Sequence, residues 1–268
     1  MPAGRVEIAR SWGAVRERFH DELNFAIADG ALEGWATGTP FRVPDALTVV
    51  EQLRSHPEAR ISRGIPGDAL DVSETDCFAD AFRAEPLETV VRQPFALAHF
   101  HLSVFDRPGG CLEGFGEQVL RPWKDALAQA GFTYDRCYPI IFVSGPGAAT
   151  NYHTDHSHVV AWQWSGSKRF CSLREPSRWA GREARLSGQL ERPPALRDAD
   201  TLMMAMTPGD VLFNKLLTPH WVQALGEEVA VSLNISHGGL RLDGEVCRNE
   251  SELEQQRDGR PAVQSARY

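Results

Sequence analysis

The sequence predicts a mainly β protein with a helical lobe at its N-terminal end, and three observations carry that expectation. Apolar runs of strand length, bounded by Gly, Pro, Ser or Asp, recur at 138–143, 159–164, 168–173, 211–213 and 230–236. Helix signals dominate the chain before them, and histidines, an aspartate and a lysine sit at the ends of the apolar runs. The expected organisation is a helical N-terminal lobe over 1–92 packed on a β core over 93–240, with a C-terminal helix or tail over 241–268.

In chain order, Ser11 is positioned to cap a helix over Trp12–Ala28, Pro44 opens one over Asp45–Ser55, and a shorter one covers Glu74–Arg83. Ala98-His99-Phe100-His101-Leu102 reads as a strand whose apolar face (Ala98, Phe100, Leu102, Val104) enters the core, leaving His99, His101 and Ser103 to line a pocket or face solvent. A helix over Leu112–Ala130 is ended by Gly131. Tyr138–Val143 is a buried strand, followed by the small-residue loop Ser144–Thr150, whose glycines let backbone approach a pocket. Val159–Trp164, the turn Ser165-Gly166-Ser167 and Lys168–Leu173 read as a hairpin. Thr207-Pro208-Gly209-Asp210 is a turn into Val211-Leu212-Phe213. Across 230–236, Val231, Leu233 and Ile235 alternate with Ser232, Asn234 and Ser236, so the polar face points either to water or into the barrel. Trp162, Trp164 and Trp221 are core residues on this reading. From Arg241 on, five arginines stand against six acids with few large apolar residues, which fits an exposed helix, a tail or a dimerisation element.

The chemistry-bearing feature is His153-Thr154-Asp155 with His220 sixty-seven positions later. In extended chain, residues two apart share a face, so His153 and Asp155 can grip one ion while Thr154 points away. His220 supplies a third ligand from a distant strand. Two imidazoles and one carboxylate on one side of an ion leave the other positions open, which suits non-haem Fe(II) and catalysis rather than scaffolding. His99 and His101 form a rival ligand pair. His156 and His158 read as rim or surface residues, and His237, beside Gly238-Gly239, as a loop residue.

On His153-x-Asp155, Thr150 three residues before it, Lys168 fifteen after His153 and the later His220, the chain resembles the Jumonji-C and cupin-like branch of the Fe(II)/2-oxoglutarate oxygenases over about residues 95–240. The resemblance implies a double-stranded β-helix (jelly-roll) core and a metal held by His153, Asp155 and His220. It also implies 2-oxoglutarate held by Lys168 and Thr150, with Asn234 assisting, and O2 as the oxidant. Physical chemistry agrees on Lys168: the far carboxylate of the co-substrate needs a fixed cation, and a charge-assisted bond is stronger than a neutral one. Relatives often approach the last ligand through a Pro-Gly-Trp-Trp-His-like run; here it is Asn214-Lys215-Leu216-Leu217-Thr218-Pro219-His220-Trp221.

The expected activity is therefore hydroxylation of a small molecule, an amino acid or natural-product intermediate, with release of succinate and CO2. The alternatives are a protein side-chain hydroxylase, a metal cupin isomerase or dioxygenase that needs no 2-oxoglutarate, and a non-catalytic ligand-binding cupin. At 268 residues and 42% hydrophobic the chain can bury a large core. A net charge of −8 argues against nucleic acid as a partner. Between Lys168 and Arg197, eight basic residues face three acids, either as a solvated loop with internal ion pairs or as a lid that recruits an anionic substrate. No membrane span or leader is read, and five scattered cysteines fit free thiols in a reducing cytoplasm, which keeps iron ferrous.

Overall fold

Sheet edges near the N-terminus and in the second half of the chain complete one another in this protein. The computed structural model describes residues 3–28, 39–65, 72–188 and 190–258. Its first part gives β1 (Gly4–Arg5), β2 (Glu7–Ala9), α1 (Trp12–Phe19) and β3 (Phe25–Ile27). The Ser11 hydroxyl accepts the Ala14 amide at 3.1 Å, the expected cap. The helix nevertheless stops at Phe19 instead of running to Ala28, for a tertiary reason. The ammonium of buried Lys215 donates to the carbonyls of Arg18, Phe19 and Asp21, holding the end of α1. Beyond it Phe25 stacks on Phe213 at 5.0 Å, where β3 pairs with a later strand.

Next come α2 (Ala46–Arg54), β4 (Arg60–Ser62), α3 (Val72–Ala84) and α4 (Leu87–Val90). Asp45 caps α2 by accepting the amides of Leu47 and Thr48. The region expected to be mostly helical thus also supplies four short strands. β5 (Ala96–His99) is shorter than expected, ending where a 3-10 turn at Leu102–Val104 begins. Its faces are the reverse of the expectation: Leu97 and His99 are buried and Ala96 and Ala98 half-buried, because His99 packs edge-on against Phe105 and His56 beneath the sheet. Turns and a π-helical segment at Gly116–Leu120 precede α5 (Arg121–Gln129), and Gly131, at φ +83°, ends it.

The remaining strands are β6 (Phe132–Thr133), β7 (Arg136–Ser144), β8 (His158–Ser165), β9 (Ser167–Leu173), β10 (Thr201–Met206), β11 (Val211–Asn214), β12 (His220–Leu225), β13 (Ala230–Gly238), β14 (Arg241–Leu242) and β15 (Glu245–Val246). Two short helices, α6 (Pro176–Trp179) and α7 (Arg182–Ser187), separate β9 from β10, and α8 (Arg248–Asp258) closes the described chain. An eight-stranded sheet runs β2-β3-β11-β8-β13-β7-β5-β4, and a four-stranded sheet β1-β10-β9-β12. A cavity lies between them, lined by Phe142, Val159, Ala161 and Ser232 of the larger sheet and by Lys168, Phe170, Met206 and Val222 of the smaller. This is the double-stranded β-helix, with apolar side chains of α1, α2 and α5 packed into its main core.

The expected hairpin of β8 and β9 is absent: β8 pairs with β11 and β13, whereas β9 pairs with β10 and β12. The Ser165-Gly166-Ser167 turn therefore carries the chain from one sheet to the other. Gly166, at φ +59°, fits there because a Cβ would lie 2.6 Å from the Val229 carbonyl oxygen. β8 and β13 are covered on both faces, with Val160, Trp162, Leu233 and Ile235 in the main core alongside Val49, Val50, Leu53 and Trp123. Trp164 joins the same core, and Trp221 a second cluster with Tyr152, Cys171 and Leu173.

Two histidines read as surface or loop residues are buried instead. His158 opens β8 beside Cys247 (3.5 Å) and Glu250 (3.8 Å), and His237 lies in β13, accepting the Trp123 indole N–H at 2.8 Å. His156 is exposed. In the basic stretch only Lys168 and Arg185 are buried, and several of its arginines are engaged within the chain: Arg185 pairs with Glu252 at 3.0 Å, exposed Arg182 donates to the Glu252 carbonyl, and exposed Arg192 covers Trp221. The C-terminal segment is docked by Cys247, Asn249, Glu250 and Leu253, all buried; residues 259–268 lie outside the described set. Among the described residues no helix is long and apolar enough to cross a membrane, and all five cysteines are free.

Candidate metal centre

His153 and Asp155 lie in the loop between β7 and β8, and His220 is the first residue of β12. The loop runs alongside β12 like an extra edge strand, with Ala224 N–H donating to Ala148, Thr150 N–H to Val222 and Leu217 N–H to Asp155. His153 and His220 exchange both backbone bonds, at 3.0 and 2.9 Å. This pair brings together rings sixty-seven residues apart, with centroids 4.3 Å from each other. The H-x-D pair is thus held by a single bridge rather than within a regular strand. Thr154 points away as expected, its hydroxyl donating to the Arg185 carbonyl at 2.6 Å.

One ligand atom from each of His153, Asp155 and His220 lies within 4.8 Å of the others. His153 Nδ1 is 2.7 Å from the Asn151 carbonyl, and His220 Nδ1 is 2.9 Å from the Thr218 carbonyl. A carbonyl only accepts, so each Nδ1 carries the ring proton and each Nε2 keeps its lone pair. Those Nε2 atoms face the two oxygens of Asp155, at 3.7 Å from His153 and 3.5 Å from His220. Burial, reinforced by neighbouring His153, lowers His220 to about 4 against the opposing pull of Asp155, so its ring is neutral at pH 7. Phe170 stacks on it at 5.2 Å. The donor set fits a divalent transition metal. His220 is 4% exposed against 28% and 33% for the His153 and Asp155 side chains, so the cluster is closed behind and open in front.

Asn214 was missed in the sequence. Its side-chain amide donates to Asp155 Oδ2 at 2.9 Å and lies 3.3 Å from His220 Nε2. A polar residue closing the apolar run Val211-Leu212-Phe213 was the available signal. The turn after it, where the sequence departs from the family's aromatic run, holds Leu217 at φ +55°, a left-handed conformation that costs leucine about 1 kcal/mol. Its backbone N–H donates to the backbone carbonyl of Asp155 at 2.8 Å.

Lys168 comes from β9, opposite Ala224 of β12 and Met206 of β10. It is 4% exposed, and its ammonium donates to the Phe142 carbonyl at 3.1 Å and the Ser232 hydroxyl at 3.0 Å, neither of them an anion. Burial alone lowers it to about 7. Two of its three N–H groups are thereby used, and the third is available. The polar face of β13 points inward: Ser232 holds Lys168, and Asn234 lines the same cavity with its Oδ1 unpartnered, as are Asn214 Oδ1 and Gln163 Oε1. Thr150 stands at the mouth, its hydroxyl oxygen accepting the Val222 amide at 2.9 Å. The cavity holds about 130 Å³ and includes His153, Asp155, His220, Lys168, Thr150 and Asn234 in its lining. His99 and His101 are not part of it.

No protein-family model matches the chain, and comparison with curated proteins finds no match. Among solved structures, the Escherichia coli ribosomal oxygenase YcfD in complex with cobalt and 2-oxoglutarate superimposes with a TM-score of 0.52 at 16% identity, covering 98% of this chain and 61% of that one. A second structure of that ribosomal oxygenase gives a TM-score of 0.52 at 15% identity, covering 98% and 62%. The chain spans about three-fifths of their length. At such identities the likeness is one of fold: the double-stranded β-helix of this chain is the fold shared with that ribosomal oxygenase.

Proposed function

We propose that the chain is an Fe(II)- and 2-oxoglutarate-dependent oxygenase that hydroxylates a small molecule. The observation that carries this reading is a buried ammonium, Lys168, bonded among the described residues only to neutral acceptors and sharing one cavity with the His153, Asp155 and His220 cluster. A buried cation of this kind is matched by an anion, and a dicarboxylate reaching from the cluster to Lys168 supplies one.

His153, Asp155 and His220 hold the metal, with the imidazole tautomers set by Asn151 and Thr218 and the carboxylate set by Asn214. Lys168 binds the far carboxylate, Thr150 donates its hydroxyl proton at the mouth, and the unpartnered amide of Asn234 offers a further polar contact. When bound, iron and co-substrate supply the oxidising equivalents: 2-oxoglutarate becomes succinate and CO2, and one oxygen atom of O2 enters a substrate C–H bond. Phe142, Phe170, Val159 and Val222 keep water from the rest of the cavity.

The cavity is small, so the substrate approaches through a neighbouring groove of about 790 Å³ that shares Ala96, Phe142 and Thr150 with it. That volume is of the size that takes a small molecule. A second reading, hydroxylation of a protein side chain, is favoured by the fold likeness to a ribosomal oxygenase.

The test is anaerobic. Adding Fe(II) and then 2-oxoglutarate is expected to give a visible metal-to-ligand charge-transfer band that weakens in Lys168→Ala and Asp155→Ala. A parent without the band overturns the reading in favour of a cupin that does not use 2-oxoglutarate. Succinate release against a metabolite panel and a peptide panel decides between the substrates.

A further inference from the structure

We infer that the chain carries a second divalent-metal site, of the zinc type, built from His56, Glu58 and His99 with His101 beside it. The site is independent of the oxygenase reading. His56-Pro57-Glu58 forms the turn between α2 and β4, and His99-Phe100-His101 leaves the end of β5. β4 and β5 pair antiparallel with Arg60 opposite Ala98, and this register carries the turn before β4 back against the end of β5.

One ligand atom from each of His56, Glu58 and His99 lies within 4.8 Å of the others. His56 Nδ1 and His99 Nε2 are 3.0 Å apart, and a widening of about 0.3 Å gives the separation of two nitrogens on one tetrahedral Zn(II). His101 Nε2 is 3.8 Å from Glu58 Oε2, close enough to become a fourth ligand with a small movement of an exposed side chain. The His99 ring is fully buried, gripped edge-on by His56 at 4.7 Å and Phe105 at 4.9 Å, and Nε2 aims out of the core into the cluster. Burial first, then His56 and His101, lower His99 to about 4, so its ring is neutral at pH 7. Two imidazoles, one carboxylate and a further imidazole are a borderline donor set, suited to Zn(II) before Mg(II) or Ca(II).

Without a metal the half-buried His56 ring and the buried His99 ring form a hydrogen-bonded pair. The His101 amide points at His99 Nδ1 from 3.1 Å, which leaves the His99 proton on Nε2 to donate to His56. An ion at the same place takes both lone pairs. The His99 proton then moves to Nδ1, and the His101 amide, at the exposed start of a turn, swings aside. No net proton is released. The ion would tie the end of α2 to the end of β5 and fix β4, the edge strand beside the substrate groove.

Zinc alone is the probe. Chelator-stripped full-length protein is dialysed against micromolar ZnCl2, and bound zinc per chain is measured by atomic emission, with Tm recorded alongside. The expectation is two zinc ions in the parent and one in Asp155→Ala, where the remaining ion still raises Tm. One ion is expected in His56→Ala/Glu58→Ala, where the zinc-dependent rise in Tm from the second site is lost. Both substitutions lie at the rim, so the buried His99 stays in place. Should that pair variant fail to fold, Glu58→Gln decides, with a tenfold or greater loss of affinity at the second site expected. A parent and a pair variant that bind the same number of zinc ions, or a folded Glu58→Gln of unchanged affinity, overturns the site, whereas an Asp155→Ala that binds as many ions as the parent counts against the His153, Asp155 and His220 cluster instead.

Discussion

Replacing Lys168 by methionine removes a charge while keeping most of the side-chain volume, and its consequences can be worked out in opposite directions for binding and for stability. In the proposed complex the ammonium makes a charge-assisted bond to the far carboxylate of 2-oxoglutarate, worth about 1.5–3 kcal/mol. Its loss raises the Kd by roughly 10- to 150-fold. In the free protein the same ammonium is a liability. Burial lowers it from 10.5 to about 7, a shift on the order of 5 kcal/mol at about 1.4 kcal/mol per pH unit. Because the lysine is lowered on folding, its penalty is full below pH 7 and is relieved as pH rises from about 7 to 10.5; the unfolded chain holds the extra proton in that window. The parent therefore gains stability from this group between pH 7 and 10.5, and Lys168→Met lacks the gain. At pH 6 the variant escapes the penalty but leaves the Phe142 carbonyl and Ser232 hydroxyl without their donor, at about 1–3 kcal/mol each. It is expected to be about as stable as the parent, or slightly more so. Binding of 2-oxoglutarate restores the charge, so it takes up a proton above pH 7 and its Kd rises with pH. Titration calorimetry in two buffers of different ionisation enthalpy measures Kd and proton uptake together, and urea unfolding at pH 6 and 9 measures stability. A variant that binds 2-oxoglutarate within threefold of the parent, or a parent with no proton uptake at pH 8, refutes the assignment of Lys168.

Three further outcomes are expected. Asn214→Ala removes the 2.9 Å bond that orients Asp155 and should weaken Fe(II) binding by roughly 10- to 100-fold with the circular dichroism spectrum unchanged; an affinity within twofold of the parent, read by anaerobic metal competition, rules the positioning role out. Lys215→Met leaves the carbonyls of Arg18, Phe19 and Asp21 without their shared donor and should cost about 3 kcal/mol in urea unfolding, whereas an unchanged midpoint argues that α1 is held by its apolar face alone. Asp155→Ala, made together with His56→Ala/Glu58→Ala so that the second site is absent, should leave two histidines that cannot retain Fe(II) through gel filtration, and retention of one equivalent of iron disproves the carboxylate's part.

The motif residues were legible because their types and spacing are chemical facts of the chain. Two residues apart in extended chain means one face, and the structure keeps His153 and Asp155 on one face even though their segment is a loop held by a single bridge. The period-two alternation around Asn234 marked one polar and one apolar face, but which face turned inward was undecidable. The structure resolves it through Ser232, which accepts the Lys168 ammonium across the cavity. The same ambiguity reversed the reading of β5: alternation was seen, yet His99 faces the core because Phe105 and His56 cover that side. His158 read as a rim or surface residue and His237 as a loop residue because polarity is an average tendency; burial of His158 depends on Cys247 and Glu250 and that of His237 on Trp123, partners far from each in sequence.

By itself the sequence determined which side chains this protein has for holding a cation and a carboxylate, where its strands break, and that a lysine follows the H-x-D pair at fixed distance. The tertiary structure decided which histidines converge. It sent β8 and β9 to different sheets, joined His153 to His220 through a two-way backbone bond, fixed both ring tautomers on local carbonyls, and bonded the Lys168 ammonium to a carbonyl and a hydroxyl. The reason is physical: spacing along a chain specifies relative direction over a few residues, whereas burial and pairing depend on segments brought together from far along the sequence, which only the packed fold supplies.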